Sequence, residues 1–157
     1  MTKQRVLFIC THNSARSQMA EAMLRTWAGD AFEVFSAGTE ATTVHPQAIA
    51  VMDEIGIDIS GQRSKTLDRY LKEPFDWVIT VCDTARQNCP VFPGVEQTAH
   101  WGVDDPTEAT GTDADRLDAF RRARDDLRNR IRLFIAAASQ PDPSASVGGD
   151  HRRLTHR

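Results

Sequence analysis

Near the start of the chain, Cys10-Thr11-His12-Asn13-Ser14-Ala15-Arg16 joins a thiol to a guanidinium across five residues, a C-x5-R spacing. In an arginine-rich chain the spacing alone is weak; its setting makes it specific. The cysteine ends the apolar run Val6 to Cys10, and the arginine falls on the first turn of the helical pattern that follows. A strand-loop-helix turn of this kind aims successive backbone N–H groups and the positive end of the helix at one point. Such a cradle, here Thr11, His12, Asn13, Ser14, Ala15, Arg16 and Ser17, binds a tetrahedral oxyanion, and Arg16 adds a planar fork that grips two oxygens. The same field favours the thiolate of Cys10, so a nucleophile exists at neutral pH. Ser17 can donate a hydrogen bond to that sulfur, and Asn13 tolerates the left-handed backbone that a tight loop needs. The plainer alternative is a buried strand-end cysteine beside an incidental arginine.

The chain has two further cysteines, Cys82 and Cys89, and an odd total of three closes no disulfide framework. Their roles are then free thiols, metal ligands or redox chemistry. If Cys82 to Cys89 is helical, seven residues make about two turns, which puts both thiols on one face but ~10 Å apart. A disulfide needs Cα atoms within about 7 Å, so the segment would have to unwind for the pair to bond. The bland reading is two small core residues. No second Cys or His pair has ligand spacing, so neither zinc nor another metal or cofactor is expected. A late Asp105-Pro106 pair, preceded by Asp104, is by itself a turn. Close to the loop, one of these carboxylic acids could protonate a leaving oxygen as sulfur attacks.

The elements that must position these groups alternate between short apolar runs and helical patterns, the mark of βαβ units and a parallel sheet. Arg5 to Cys10 reads as a buried strand. Ala20, Met23, Leu24 and Trp27 mark a helix stopped by Gly29, and Phe32 to Ser36 a second strand ended by Ala37-Gly38. His45-Pro46 opens a helix with Ala48, Val51, Met52 and Ile55 on its apolar face and Gly56 at C′. Trp77 to Val81 and Gln97 to Trp101 are strands three and four. Thr112 caps a last helix, whose Leu117, Phe120, Ala123, Leu127, Ile131 and Phe134 keep helical spacing to about Ala138. The expected organisation is one small three-layer α/β domain, residues 1–138, with its site at the carboxyl ends of the strands. Residues 139–157, with Pro141-Asp142-Pro143-Ser144 and Gly148-Gly149, read as a flexible tail.

Composition excludes other classes. At 157 residues, 40% hydrophobic and 26% charged, the chain is an ordinary single globular domain. Its longest apolar runs fall far short of the ~20 residues of a membrane span. Lys3 and Arg5 mimic a signal peptide, but Val6 to Cys10 is shorter than the ~7–15 residues of an export segment. A cytoplasmic location is expected. A net charge of −3 gives no reason to expect nucleic acid or anionic membrane as a partner.

The stretch Val6-Leu-Phe-Ile-Cys10-Thr-His-Asn-Ser-Ala-Arg16-Ser-Gln-Met-Ala-Glu21, with Ser36-Ala37-Gly38 after the second strand, resembles the low-molecular-weight protein tyrosine phosphatase superfamily over about Arg5 to Ala138. The resemblance implies a four-stranded parallel sheet with helices on both faces, Cys10 as the attacking nucleophile and Asp105 as general acid. In that fold the third strand lies beside the first, so Cys82 could come near Cys10. Phosphatases of this kind line their cleft with aromatics just after the Asp-Pro pair. Here Asp105-Pro106-Thr107-Glu108-Ala109-Thr110-Gly111 has none, and the only tyrosine is Tyr70.

The trio Cys10, Cys82 and Cys89 is instead similar to the thioredoxin-coupled arsenate reductases. That resemblance implies a Cys10 thiol–arsenic adduct and a Cys10–Cys82 disulfide released with arsenite. A Cys82–Cys89 disulfide, open to thioredoxin or another thiol reductant, follows. Arsenate is the expected substrate, with phosphate or sulfate as analogues. Some relatives hold a potassium ion through residues matching Asn13, Glu21 and Ser36 with an acid where Lys65 stands here; a lysine ammonium could replace it, so no cation requirement is expected. Ala15 removes a spare thiol that some relatives carry. Two alternatives stay open: a phosphatase using Cys10, Arg16 and Asp105, and a non-catalytic oxyanion-binding module, which would need neither the thiol nor the acid.

Overall fold

The computed structural model describes residues 3–82, 95 and 97–138. Four strands, β1 (Gln4–Cys10), β2 (Phe32–Gly38), β3 (Trp77–Cys82) and β4 (Gln97–Gly102), form one sheet in the order β2-β1-β3-β4. Every pairing is parallel. The chain moves from β1 outward to β2 and then back across β1 to β3. The strand order therefore reverses at β1 and β3, and the crevice at their carboxyl ends is where such sheets bind ligands. Cys10 and Cys82 close those two strands: the register pairs Ile9 with Thr80, and Cys10 and Cys82 lie one and two residues beyond that pair.

Side chains alternate between the sheet faces, which gives the runs of buried residues their two destinations. Val6, Phe8, Phe32, Val34, Ile79 and Val81 join the larger core with α1 (Arg16–Ala28) and α3 (Asp113–Ala138). Leu7, Ile9, Ala37 and Val78 face the other way, onto Tyr70 and Phe75 and the 3₁₀ turn Leu67–Tyr70. The helix α2 (Pro46–Asp53) packs on α3 and adds Ala48, Val51 and Met52 to the larger core. Among the described residues no helix is long and apolar enough to cross a membrane.

Local chemistry accounts for the helix ends. Thr112 Oγ1 accepts the Asp115 N–H at 3.1 Å while Asp115 Oδ2 accepts the Thr112 N–H at 3.0 Å, a reciprocal cap on α3. After α2, Gly56 takes φ 79°, Ile57 N–H bonds to Met52 O and Gly56 N–H to Asp53 O, the left-handed stop expected for this glycine. Gly29 follows the last residue of α1, as expected, with right-handed backbone, φ −65°. Trp27 is not in the core: it is 36% exposed, because it sits at the last turn of α1, where Arg132 covers its ring from 5.6 Å. β2 also continues through Ala37 and Gly38 rather than stopping at Ser36.

Candidate active site

Between β1 and α1 the chain reverses over five residues. Asn13 takes φ 51°, the left-handed conformation foreseen for it. Its side chain spends its whole hydrogen-bonding capacity holding the loop. Nδ2 donates to Ser17 Oγ at 2.8 Å and to Ser36 Oγ at 2.9 Å, and Oδ1 accepts from Gln18 Nε2 at 2.9 Å and the Lys65 N–H at 2.8 Å. Gly38 packs against the same turn. A Cβ there would lie 2.6 Å from Thr11 O and 2.8 Å from both Cys10 O and Asn13 N, so the loop closes only over a residue without a side chain.

The thiol of Cys10 is buried, 3% exposed, with its Sγ 2.8 Å from Ser17 Oγ. Ser17 already accepts from Asn13, which leaves its hydroxyl proton for the sulfur. Helix α1 starts without a side-chain cap, from Ala15, and has no acidic residue in its first turn. Its positive end is therefore neither capped nor neutralised where the loop faces it. Thr11, Ser14 and Ala15 complete the turn. His12 differs from its neighbours, since its exposed ring stands 3.6 Å from Glu40 and only its backbone belongs to the cradle.

Arg16 is buried and reaches across to the loop after β4. Nη1 donates to Val103 O at 2.9 Å and Nη2 lies 3.5 Å from Asp105 Oδ2. The other carboxylate oxygen of Asp105 accepts from Thr107 N–H at 3.0 Å and Thr107 Oγ1 at 2.7 Å, which opens the 3₁₀ turn Pro106–Glu108. Asp104 is exposed. Of the two neighbouring aspartates, Asp105 is thus the one held beside the Arg16 guanidinium.

A second layer of polar groups lies under the loop. Ser36 Oγ donates to Glu21 Oε1, and Arg25 binds the other oxygen of Glu21 and the Val34 carbonyl. Lys65 borders this group. Its Nζ donates to Arg63 O at 2.5 Å; burial pushes its ammonium below the ordinary lysine range, and the Glu21 charge pushes it back up. Gln18 was missed by the sequence reading. It is fully buried and donates to Asn13 O at 3.0 Å, Asn13 Oδ1 at 2.9 Å and Arg63 O at 2.8 Å. A signal existed: Gln18, Glu21 and Arg25 form a polar stripe at helical spacing beside the apolar one. Cys82 ends β3, and Cys89 lies outside the described residues, as does the tail. Among the described residues no group of three or more His, Cys, Asp or Glu side chains is placed to hold a metal ion.

The sheet order, the loop on the switch-point strand and the Arg16–Asp105 pairing define a class, and comparison with known proteins agrees. The family model for low molecular weight phosphotyrosine protein phosphatase matches residues 5–142. The chain belongs to that family. Within it, the chain is 47% identical over 134 residues to an arsenate reductase of Halalkalibacterium halodurans, covering 85% of this chain and 96% of the relative. A solved arsenate reductase in a phosphate-binding state superposes with a TM-score of 0.74 at 37% identity, covering 87% of this chain and 99% of that one. A thioredoxin-dependent arsenate reductase of Corynebacterium glutamicum gives a TM-score of 0.67 at 31% identity, covering 88% of this chain and 64% of that one.

Proposed function

We propose that the chain reduces arsenate to arsenite, with Cys10 as nucleophile, Arg16 and the backbone of residues 11–17 as oxyanion cradle, and Asp105 as general acid. The observation that carries this reading is the buried Cys10–Ser17 contact at the mouth of an uncapped helix, with the Arg16–Asp105 pair facing it. Arsenate, a tetrahedral dianion, fits N–H donors and a guanidinium as phosphate does. Its charge competes with Asp105 for Arg16. Once Arg16 turns to the oxyanion, Asp105 can hold a proton and deliver it to the departing oxygen.

The Cys10 thiolate displaces that oxygen, which leaves as water, and forms a sulfur–arsenic(V) bond. The Cys82 thiolate then attacks the Cys10 sulfur; the sulfur–arsenic bond breaks and its electron pair stays on arsenic, now arsenic(III). Two thiols have lost two electrons and a Cys10–Cys82 disulfide remains. Attack by Cys89 on Cys82 frees Cys10 and leaves a Cys82–Cys89 disulfide for an external dithiol such as thioredoxin. The placement of Cys10 and Cys82 at the ends of adjacent strands supports the first exchange. Lys65 supplies positive charge next to Glu21, so no monovalent cation is needed there. Free thiols as working groups favour a reducing, cytoplasmic setting.

A tyrosine phosphatase reading has less support. The residues after Asp105 form a short 3₁₀ element of Pro106, Thr107 and Glu108, which carries no aromatic side chain for a phenyl ring to stack on. The deciding experiment measures arsenite release with thioredoxin, thioredoxin reductase and NADPH, beside p-nitrophenyl phosphate hydrolysis. Catalytic arsenite formation is expected; hydrolysis without arsenite would assign the chain to the phosphatases.

A further inference from the structure

The imidazole of His45 belongs to neither the oxyanion loop nor the acid loop, yet it stands between them. Its backbone N–H donates to Ser14 O at 2.9 Å, which ties the start of α2 to the cradle. Its Nδ1 accepts the Gln47 N–H at 3.1 Å and so caps α2, which fixes the ring proton of the neutral form on Nε2. The ring packs on Phe120 with centroids 4.7 Å apart and lines a cleft of about 660 Å³ with Pro106, Thr107, Asp113, Arg116 and Leu117. Among the described residues, the charged groups near it are Asp105, itself paired with Arg16, and two residues of α3. Those two, Asp113 and Arg116, neutralise each other in a 2.5 Å ion pair. Helix α2 has no charged residue in its first turn.

We propose that His45 is a positioning residue for Asp105: the neutral imidazole holds the α2 cap and an uncharged wall beside the acid loop, and its protonation disables the acid. The inference rests on the reading of Asp105 as general acid. Protonation has two consequences. An imidazolium carries N–H on both nitrogens, so Nδ1 can no longer accept from Gln47, and the side-chain cap at the start of α2 is lost while the backbone bond to Ser14 remains. It also adds a positive charge near Asp105, which favours the carboxylate over the acid that the step requires. By linkage, the acid form of Asp105 and the neutral form of His45 favour each other. Burial already pushes His45 below its ordinary range, against the pull of the Asp105 charge, so the neutral ring predominates at pH 7.

Two measurements test this. The first follows the His45 ring by NMR through a pH titration of the full chain, with wild type compared to Asp105→Asn. Removal of the carboxylate should move the His45 midpoint to lower pH; an unmoved midpoint overturns the coupling. The second compares single-turnover arsenite release by wild type and His45→Asn, whose side-chain oxygen can still cap α2 but does not titrate. As the pH falls through the His45 midpoint that the NMR titration gives, wild type should lose about twofold activity relative to the variant at that midpoint, and more below it. A pH-independent ratio overturns the proposal. A wild type that releases no arsenite would defeat the reductase reading instead, and the NMR titration would still decide the His45–Asp105 coupling.

Discussion

Arg16 Nη2 and Asp105 Oδ2 lie 3.5 Å apart with side chains only 4% and 7% exposed, a nearly dry ion pair that joins the cradle to the acid loop. Each residue has a second anchor, Val103 O for Arg16 and Thr107 for Asp105, which keeps the two loops in register when the pair separates. Asp105→Asn preserves this shape and removes the proton. Single-turnover arsenite release should then fall by ~10²–10⁴-fold, the usual contribution of general acid catalysis. Asp104→Asn, at an exposed position, should leave the rate within a small factor of wild type. An equal loss in Asp104→Asn would transfer the role to the neighbour.

Cys10→Ser separates binding from chemistry. A hydroxyl is not ionised at neutral pH, so arsenate reduction and any phosphate-ester hydrolysis should both vanish. The loop N–H groups and Arg16 remain, and calorimetry should still detect phosphate binding. Turnover by this variant would remove Cys10 from the mechanism.

Gly38→Ala probes the loop's backing. The added methyl meets three backbone atoms at 2.6–2.8 Å, none of which can move without distorting the cradle. Overpacking of this kind costs about 1–3 kcal/mol. Thermal unfolding should shift down, and phosphate affinity should fall with it. A variant with wild-type affinity would show that the turn has room to give.

Much of this arrangement was legible because local chemistry and tertiary structure agree at the key positions. The strand-to-helix change around Cys10 and Arg16, the left-handed Asn13, the Thr112 cap and the Gly56 stop are all short-range features, and each is where its residue type asks for it. What could not be read is long-range. Gln18 is held by reaching Arg63 O, forty-five residues away, and the ion pair of Asp105 with Arg16 depends on how the loop after β4 turns. Trp27 followed the apolar spacing of α1 but is partly exposed at its last turn, where Arg132 of α3 covers its ring. His45 reads as a helix-opening residue; its position against Phe120 and the acid loop depends on how α2 and α3 dock.

That docking itself gives a pH-dependent prediction. Glu54, just past α2, takes Arg121 Nε at 3.0 Å, Arg121 Nη2 at 2.7 Å and Arg124 Nη1 at 2.7 Å from α3. These hydrogen bonds to Arg121 and Arg124 hold its carboxyl at about 2, below the ordinary value of 4.5. A carboxyl depressed in the folded state stabilises the fold above its unfolded value, and that contribution is lost as the pH falls through the folded one. Glu54→Gln should therefore be less stable than wild type at pH 7, by denaturant midpoint, and the gap should close between pH 4.5 and pH 2. A gap independent of pH would mean that the side chain acts through packing alone.

The thiol relay makes the sharpest demand, because its two resolving cysteines should fail differently. Cys82→Ser removes the thiolate that attacks the Cys10 sulfur. Arsenite release should stop before the first turnover, while Cys10 stays reactive toward alkylating agents and any phosphatase activity persists. Cys89→Ser keeps that attack and should release about one arsenite per chain, then stall with Cys10 bonded to Cys82, since the second exchange lacks its nucleophile. Peptide mass mapping under non-reducing conditions would identify the trapped Cys10–Cys82 linkage. Steady cycling of Cys89→Ser with thioredoxin would reduce Cys89 to a bystander. Wild-type arsenite release in both variants would place the second thiol on an external reductant rather than on this chain, because arsenic(V) cannot leave as arsenic(III) without a second thiol to take the Cys10 sulfur.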